Sequence, residues 1–413
     1  MSPSFPSSSR GPGPWLTIVG LGMDGSAGLG AQARAALETA ELVIGSARQL
    51  ALVRQLVRCE VRAWPSPWSE GVAQLWARRG RPTCLLASGD PFFFGIGASL
   101  APELRPGEFV CHPAPSSLSL AAARLGWPLQ HVDVVSLHGR DLQNVIRYLQ
   151  PGRRVLALSW NRETPAQLAA LLCARGFGRS RLQVLEALGA PEERVRASAA
   201  DSFELHDVLD MNLIALEVEA AAQALVLPWR ASLPDSAFEH DGQLTKQDIR
   251  AITLSALAPR AGGVLWDVGA GAGSIGIEWM LAHPSCQAFA IEAEAARCER
   301  IRRNALALGV PGLSILQARA PAGLDTLPRP DAVFIGGGAS EPGVFECVWA
   351  ALASGGRLVI NAVALETEAL LLEWHARHDG ELRRLSIEHC VPLGSMRGWR
   401  PAMPVTQWRV DKP

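Results

Sequence analysis

The sequence predicts an α/β protein of two domains, and three observations carry that expectation. Short apolar, strand-like segments alternate with helical patterns along nearly the whole chain. Two glycine turns, "VGLGMDG" near the start and "DVGAGAGSIG" in the second half, each follow a strand-like run. The chain has 413 residues, too many for one ordinary core. The alternation breaks at "EAAAQALVLPWRASLPDSAFEHDGQLTK", which places a boundary near residue 228. The expected layout is a tail over 1–14, one domain over 15–228 and a second over 229–413.

Residues 1–14, "MSPSFPSSSRGPGP", are rich in Ser, Pro and Gly and lack the apolar core of a signal peptide, so they read as a flexible tail. "WLTIVGLGMDG" is a strand running into a glycine turn. "TCLLASGDPFFFGIG" repeats that pattern, with Asp90 between flexible Gly89 and Pro91. The simplest role for Phe92, Phe93 and Phe94 is core packing. "HPAPSSLSLAAARLGW" is a turn into a helix, with Ser116 and Ser117 near its N-terminus. Asp90 and these serine hydroxyls suit the polar groups of one shared ligand. "VVSLHGR" and "ALGAPEERVR" follow.

In the second half, "LTKQDIRAITLSALAP" reads as a helix. Thr245 is its expected N-cap, Asp248 an acidic partner three residues on, and Pro259 its stop. Ile249, Ile252, Ala256 and Leu257 share one face. Five strand-like runs follow, "VLWDV", "AFAI", "LSIL", "DAVFI" and "RLVINA", separated by helices such as the one striped by Cys298, Ile301, Ala305 and Leu308. "ELRRLSIEHC" and "PVTQWRV" read as two last strands joined by a loop, hence antiparallel. Five parallel strands plus a terminal hairpin suit a methyltransferase sheet better than a six-stranded dehydrogenase sheet.

The turn in "LWDVGAGAGSIGIEW" fits two ligand classes. Gly271, Gly273 and Gly276 match a dinucleotide fingerprint, while Asp267, Gly269, Gly271 and Gly273 match the turn that holds an adenosyl group carrying methionine. Glycines permit positive φ and close ligand approach, and the next helix aims free N–H groups at the ligand. A pyrophosphate or a carboxylate is satisfied there equally. Asp267, at the strand end, favours a cationic or N–H-bearing ligand. Glu292, at the end of the next strand, can accept both ribose hydroxyls in either class.

Composition narrows the function classes. The formal net charge of -1 gives no global field for nucleic acid. No apolar run reaches the roughly 20 residues of a membrane span. The eight cysteines form no C-x-x-C, which argues for reduced thiols in a cytosol rather than a disulfide frame or a zinc site. His375 and His378 share a helix face without further ligands, so no metal is expected.

"TKQDIR", "LWDVGAGAGSIGIEW", "AIEAE", "ARAPAGL", "PDAVFIGGG", "SGGRLVINAVALET" and "PAMPV" occur in order. Together they resemble the CbiT family of decarboxylating precorrin methyltransferases, over about residues 238 to 410. The resemblance implies a class I Rossmann-like S-adenosylmethionine methyltransferase domain, with a seven-stranded sheet ending in an antiparallel hairpin. It carries cofactor contact onto Thr245, Gly269, Ala270, Gly271, Ala272, Gly273, Glu292 and Ala320. Met403 stands where the family has Asn. In the first half, "SGDP", "SLHGR" and "PEER" resemble CbiE, a member of the tetrapyrrole (corrin/porphyrin) methylase family, over about residues 15 to 220. That implies two α/β lobes around a cleft, with cofactor contact on Ser88, Gly89, Asp90, Phe93, Ser116 and Ser117. Met23 stands where many relatives have proline.

The fused pair resembles the CobL family of precorrin-6Y C5,15-methyltransferases. The resemblance implies one S-adenosylmethionine per domain. The first domain would methylate C5, and the second would methylate C15 and remove CO₂ from the ring C acetate, giving precorrin-8X in cobalamin biosynthesis. Lys246, Arg397 and Arg400 are candidates for the carboxylates of this tetrapyrrole substrate. Relatives of both halves form symmetric oligomers, so self-association is expected, with no nucleic-acid or membrane partner and a cytoplasmic location. The competing readings are an NAD-type oxidoreductase, a non-catalytic adenosylmethionine sensor and an RNA methyltransferase.

Overall fold

The computed structural model describes residues 13–229 and 232–413 and is α/β throughout. It divides into two compact units. The first takes the chain up to Arg140 together with Pro151–Ala224, and the second takes Asp141–Gln150 and Leu225–Pro413. Asp141–Gln150 comes from inside the range read as the first domain. Within the second unit its Arg147 donates to the carbonyls of Met280 and Leu281, at the C-terminal end of the helix Ser274–Ala282. A guanidinium at a helix C-terminus satisfies carbonyls that have no partner in the helix. Of the tail, residues 1–12 lie outside the described residues.

The first unit carries two five-stranded sheets. The first holds β1 (Leu16–Leu21), β2 (Leu42–Gly45), β3 (Glu60–Ala63), β4 (Thr83–Ser88) and β5 (Phe109–His112), all parallel, in the order β3-β2-β4-β1-β5. The central strands are almost wholly buried because apolar clusters cover both faces. The second holds β6 (Val132–Ser136), β7 (Arg154–Leu158), β8 (Arg181–Glu186), β9 (Arg194–Ala199) and β10 (Asn212–Glu217), ordered β6-β7-β10-β8-β9. Only β6 and β7 run parallel. "PEER" is structural here. Glu193 accepts the Gly189 N–H at 2.7 Å, and Arg194 pairs with the fully buried Glu186 at 2.9 Å.

The second unit holds β11 (Val264–Val268), β12 (Gln287–Glu292), β13 (Ser314–Gln317), β14 (Ala332–Ile335), β15 (Arg357–Ala362), β16 (Glu381–Leu385), β17 (Glu388–Leu393), β18 (Met396–Pro401) and β19 (Val405–Asp411). Seven of them form one sheet, β13-β12-β11-β14-β15-β19-β16. The first five are parallel, and β19 is antiparallel to both its neighbours. Strand order reverses at β11, which opens a crevice at the carboxyl ends of β11 and β14.

Four expectations are corrected. "ELRRLSIEHC" is two strands, β16 and β17, and the last two sheet strands are joined by an antiparallel ribbon of β17 and β18 rather than a bare loop. The helix begins at Gln247 with Lys246 at the N-cap, not Thr245, because the Lys246 carbonyl accepts the first helical bond, from Arg250 N–H. Asp248 is an exposed first-turn residue 3.9 Å from His389 rather than a capping partner. Phe92, Phe93 and Phe94 are not core, being 38%, 44% and 48% exposed. The stripe Cys298, Ile301, Ala305 and Leu308 is buried as expected. His378 packs its ring on Phe345 and Trp349, while His375 meets the Asp379 carbonyl.

Candidate active sites

In the second unit β11 delivers Asp267 and the Gly269–Gly273 turn to the crevice. Gly269, Gly271 and Gly273 have φ of 70°, 59° and 77°. A Cβ at Gly269 would lie 2.6 Å from the Gly337 carbonyl oxygen, and one at Gly271 2.9 Å from that of Gln243. These glycines are therefore required by the backbone itself, before any ligand is considered. Ala270 is half-buried and Ala272 buried, so the crevice-side rim of the turn is largely bare backbone.

Glu292 ends β12 beside the turn and is 5% exposed. Its Oε2 accepts the Gly271 N–H at 2.9 Å, and its Oε1 accepts the Glu294 N–H at 3.0 Å. A carboxylate offers about four lone-pair sites, so acceptor capacity remains for a pair of hydroxyls. Ala320 follows β13 on the same edge, where the Ala318 N–H bonds the Glu292 carbonyl. Thr245 lies two residues beyond Gln243, the residue that crosses Gly271.

Asp267 is buried, and its Oδ2 accepts the Gly276 N–H at 2.9 Å, in the first turn of the helix Ser274–Ala282. Its Oδ1 has no partner among the described residues. Burial pushes this carboxyl up to about 7, against the lowering effect of the Gly276 hydrogen bond. The remaining acceptor capacity of Glu292 beside a bare glycine backbone fits the ribose and polar end of an adenosyl ligand, while Asp267 lies beneath the turn and fixes the start of the helix Ser274–Ala282.

The substrate candidates separate. Lys246 is exposed, 3.8 Å from Asp235. Arg397 and Arg400 are three residues apart on β18, so strand alternation sends them to opposite faces of the ribbon. Arg400 is registered with His389, the residue that approaches Asp248 at the helix start. Arg397 shares the other face with Trp399.

In the first unit the ends of β1, β4 and β5 converge. A Cβ on Gly20 would lie 2.2 Å from the Gly89 carbonyl oxygen and 2.5 Å from the Ala114 nitrogen. Beside this junction lies a cavity of about 860 Å³, in the range of small-molecule sites, roughly 300–1,000 Å³. Ser88, Gly89, Asp90, Phe93, Ser116 and Ser117 all line it. Asp90 Oδ1 accepts the Phe92 N–H, which fixes the carboxylate at the turn. Ser116 is both the N-cap of the helix Ser117–Leu125 and a lining residue. Thus the structure brings all six first-unit candidates to one cavity. In the second unit it gathers the glycine turn, Asp267, Glu292 and Ala320 at the carboxyl ends of neighbouring strands, with Thr245 two residues along the chain from Gln243, which meets Gly271.

Several supporting residues escaped the sequence reading. Buried Asn304 donates to the carbonyls of Ala272 and Glu239 at 2.9 and 3.0 Å, clamping the glycine turn to the preceding segment. Fully buried Arg250 pairs with Glu278 at 2.6 Å and Asp235 at 3.1 Å, and also donates to the Thr245 and Leu233 carbonyls. Two guanidinium ions hold Asp241 well below the usual carboxylate range, Arg300 and Arg297.

Comparison with known proteins covers both units. The model of the tetrapyrrole (corrin/porphyrin) methylases matches residues 15–203, and that of the precorrin methyltransferase domain matches residues 236–412. A Sinorhizobium protein named precorrin-6Y C(5,15)-methyltransferase (decarboxylating) is 54% identical, over 97% of this chain and 97% of its own. A Mycobacterium tuberculosis protein of the same name is 41% identical, over 96% of this chain and 100% of its own. The solved C-terminal domain of a Rhodobacter capsulatus precorrin-6Y C5,15-methyltransferase is 47% identical, over 45% of this chain and 100% of that domain, with a TM-score of 0.43.

Proposed function

The chain belongs to the decarboxylating precorrin-6Y C(5,15)-methyltransferase family, and from that premise we propose that it methylates precorrin-6Y at C5 and C15 and removes the ring C acetate carboxyl as CO₂, giving precorrin-8X. The first unit acts at C5, and the second unit acts at C15 and in the decarboxylation. The observation that carries this reading is the 54% identity across 97% of the chain, with both family models matched in order.

S-adenosylmethionine, one per unit, supplies an already activated sulfonium methyl. What remains for the protein is placement, because the electron-rich bridging carbons of a reduced tetrapyrrole are themselves the nucleophiles. The reacting atoms must be held in line at about 3–3.5 Å, away from water. In the first unit Asp90, Ser116 and Ser117 hold the polar groups of the cofactor along the Ser88–Gly89 turn, and Phe93 supplies an apolar wall. In the second unit the Gly269–Gly273 backbone carries the methionine end, Glu292 accepts the ribose hydroxyls, Thr245 and Ala320 flank the adenosine, and Asp267 acts from beneath the turn, by its charge and by holding the Gly276 N–H. Lys246 and Arg400 receive substrate carboxylates. Self-association belongs to the same reading and is supported by Leu393, Met396 and Trp399, which are 63%, 70% and 71% exposed on the β17–β18 ribbon.

Mass spectrometry of the product from precorrin-6Y and S-adenosylmethionine tests the proposal. A gain of two methyl groups and a loss of one CO₂ are expected. Recovery of unmodified substrate under saturating cofactor contradicts it.

A further inference from the structure

The first-unit cavity holds two guanidinium groups that no carboxylate neutralises. Arg48 lines it, with Nη1 2.8 Å from the Met23 thioether sulfur and Nη2 3.1 Å from the Ser88 hydroxyl. Both neighbours are neutral, and a thioether is a weak acceptor. Arg140 also lines the cavity, and its guanidinium has no hydrogen-bond or ion-pair partner among the described residues. The contrast lies close by. Asp210, which also lines the cavity, is held down to about 2 by the hydrogen bonds and charge of Arg162, which it meets at 2.6 Å. That carboxylate already has its cation, and the other lining carboxylate, Asp90, accepts the Phe92 N–H and forms no ion pair with either arginine, so Arg48 and Arg140 have no anion within ion-pair distance among the described residues.

The remaining walls indicate what the anion belongs to. Trp160, Phe93 and Phe94 line the cavity and are 60%, 44% and 48% exposed. Large apolar faces left open inside a cavity, next to unneutralised guanidinium groups, suit a flat, apolar ring system with carboxylates at its rim. Guanidinium is the side chain best matched to a carboxylate because its fork gives two parallel charge-assisted bonds. The Met23 sulfur and the Ser88 hydroxyl hold Arg48 by two different nitrogens, which orients its fork without consuming its charge.

We propose that Arg48 and Arg140 are the receptors for peripheral carboxylates of the macrocyclic substrate in the first unit, with Met23 and Ser88 as the positioning residues for Arg48. The assignment rests on the C5-methylation reading and adds the residues that recognise the substrate.

The test uses the full chain. Initial rates of C5 and C15 methylation are followed by mass spectrometry while precorrin-6Y, and separately S-adenosylmethionine, is varied. Arg48→Leu and Arg140→Leu remove the charge and keep an apolar stem. Each is expected to raise the KM for precorrin-6Y in C5 methylation by about tenfold or more, with kcat changed far less, C15 methylation unchanged, and partial recovery in Arg48→Lys and Arg140→Lys. An unchanged KM for precorrin-6Y in both leucine variants overturns the assignment. A raised KM for S-adenosylmethionine instead also overturns it, since the carboxylate received would be that of the cofactor's methionine. Absence of C5 methylation in the unsubstituted chain is a separate result that removes the functional reading itself, and the assignment with it.

Discussion

Asp267→Asn probes the one buried carboxyl at the second-unit site that carries an unpartnered oxygen. In the folded chain this group is pushed up to about 7 by burial, whereas an unfolded aspartate titrates near about 3.9. The folded value is raised, so its contribution favours the folded state below the unfolded pKa and is lost as pH rises through the folded one. Between pH 5 and pH 8 the linkage amounts to about 2.5 kcal/mol of stability lost in the ligand-free second unit. Asparagine keeps an acceptor for the Gly276 N–H, which Asp267 Oδ2 now accepts at 2.9 Å, but cannot ionise. The variant should therefore lose this part of the pH slope and be the more stable protein at pH 8. Urea-dependent hydrogen exchange of the 264–279 segment, corrected for intrinsic rates, reads the second unit without interference from the first. Identical slopes for the two proteins between pH 5 and pH 8 would refute the reasoning. The same logic requires a cationic ligand to draw the proton off Asp267, so adenosylmethionine binding at pH 6 should release protons in the unsubstituted chain only, visible as buffer-dependent binding heats.

Three further outcomes follow from named contacts. Glu278→Ala leaves Arg250, with a fully buried side chain, only Asp235 as a carboxylate partner, and should destabilise the second unit by about 3–5 kcal/mol in denaturant titration. Asn304→Ala strips the Ala272 and Glu239 carbonyls of their shared donor; a loss of about 1–3 kcal/mol is expected, together with weaker S-adenosylhomocysteine binding in the second unit. Gly20→Ala forces a methyl against the Gly89 and Ala114 backbone and should destabilise the first unit by about 1–3 kcal/mol, while C15 methylation persists.

Much of this architecture was legible because periodicity and turn chemistry are local. The strand ends that carry Asp90, Asp267 and Glu292, and the antiparallel pairing of β19, followed from short apolar runs and the residues that close them. Thr245 looks like an N-cap because its side-chain hydroxyl stands just ahead of the periodic residues. The helix starts one residue later because distant partners, Leu233 and Glu278, fix Arg250 and with it the local chain path. The β17–β18 ribbon was hidden because its faces lack alternation, with Leu393, Met396 and Trp399 all exposed. Phe93 and Phe94 look like core because an apolar run reads the same whether it lines a core or a cavity, whereas Phe92 packs on Phe109. Asn304 did leave a signal, a lone amide among the apolar positions 298, 301, 305 and 308. Arg48 and Arg140 left none, since only the folded chain shows that no carboxylate meets them.

The central claim is that each unit binds its own adenosyl cofactor. Calorimetric titration of the full chain with S-adenosylhomocysteine tests it most directly. Two equivalents per chain are expected, falling to one in Asp90→Ala and to one, of the other class, in Glu292→Ala. A single equivalent in the unsubstituted chain, or loss of both classes on either substitution, would contradict the account.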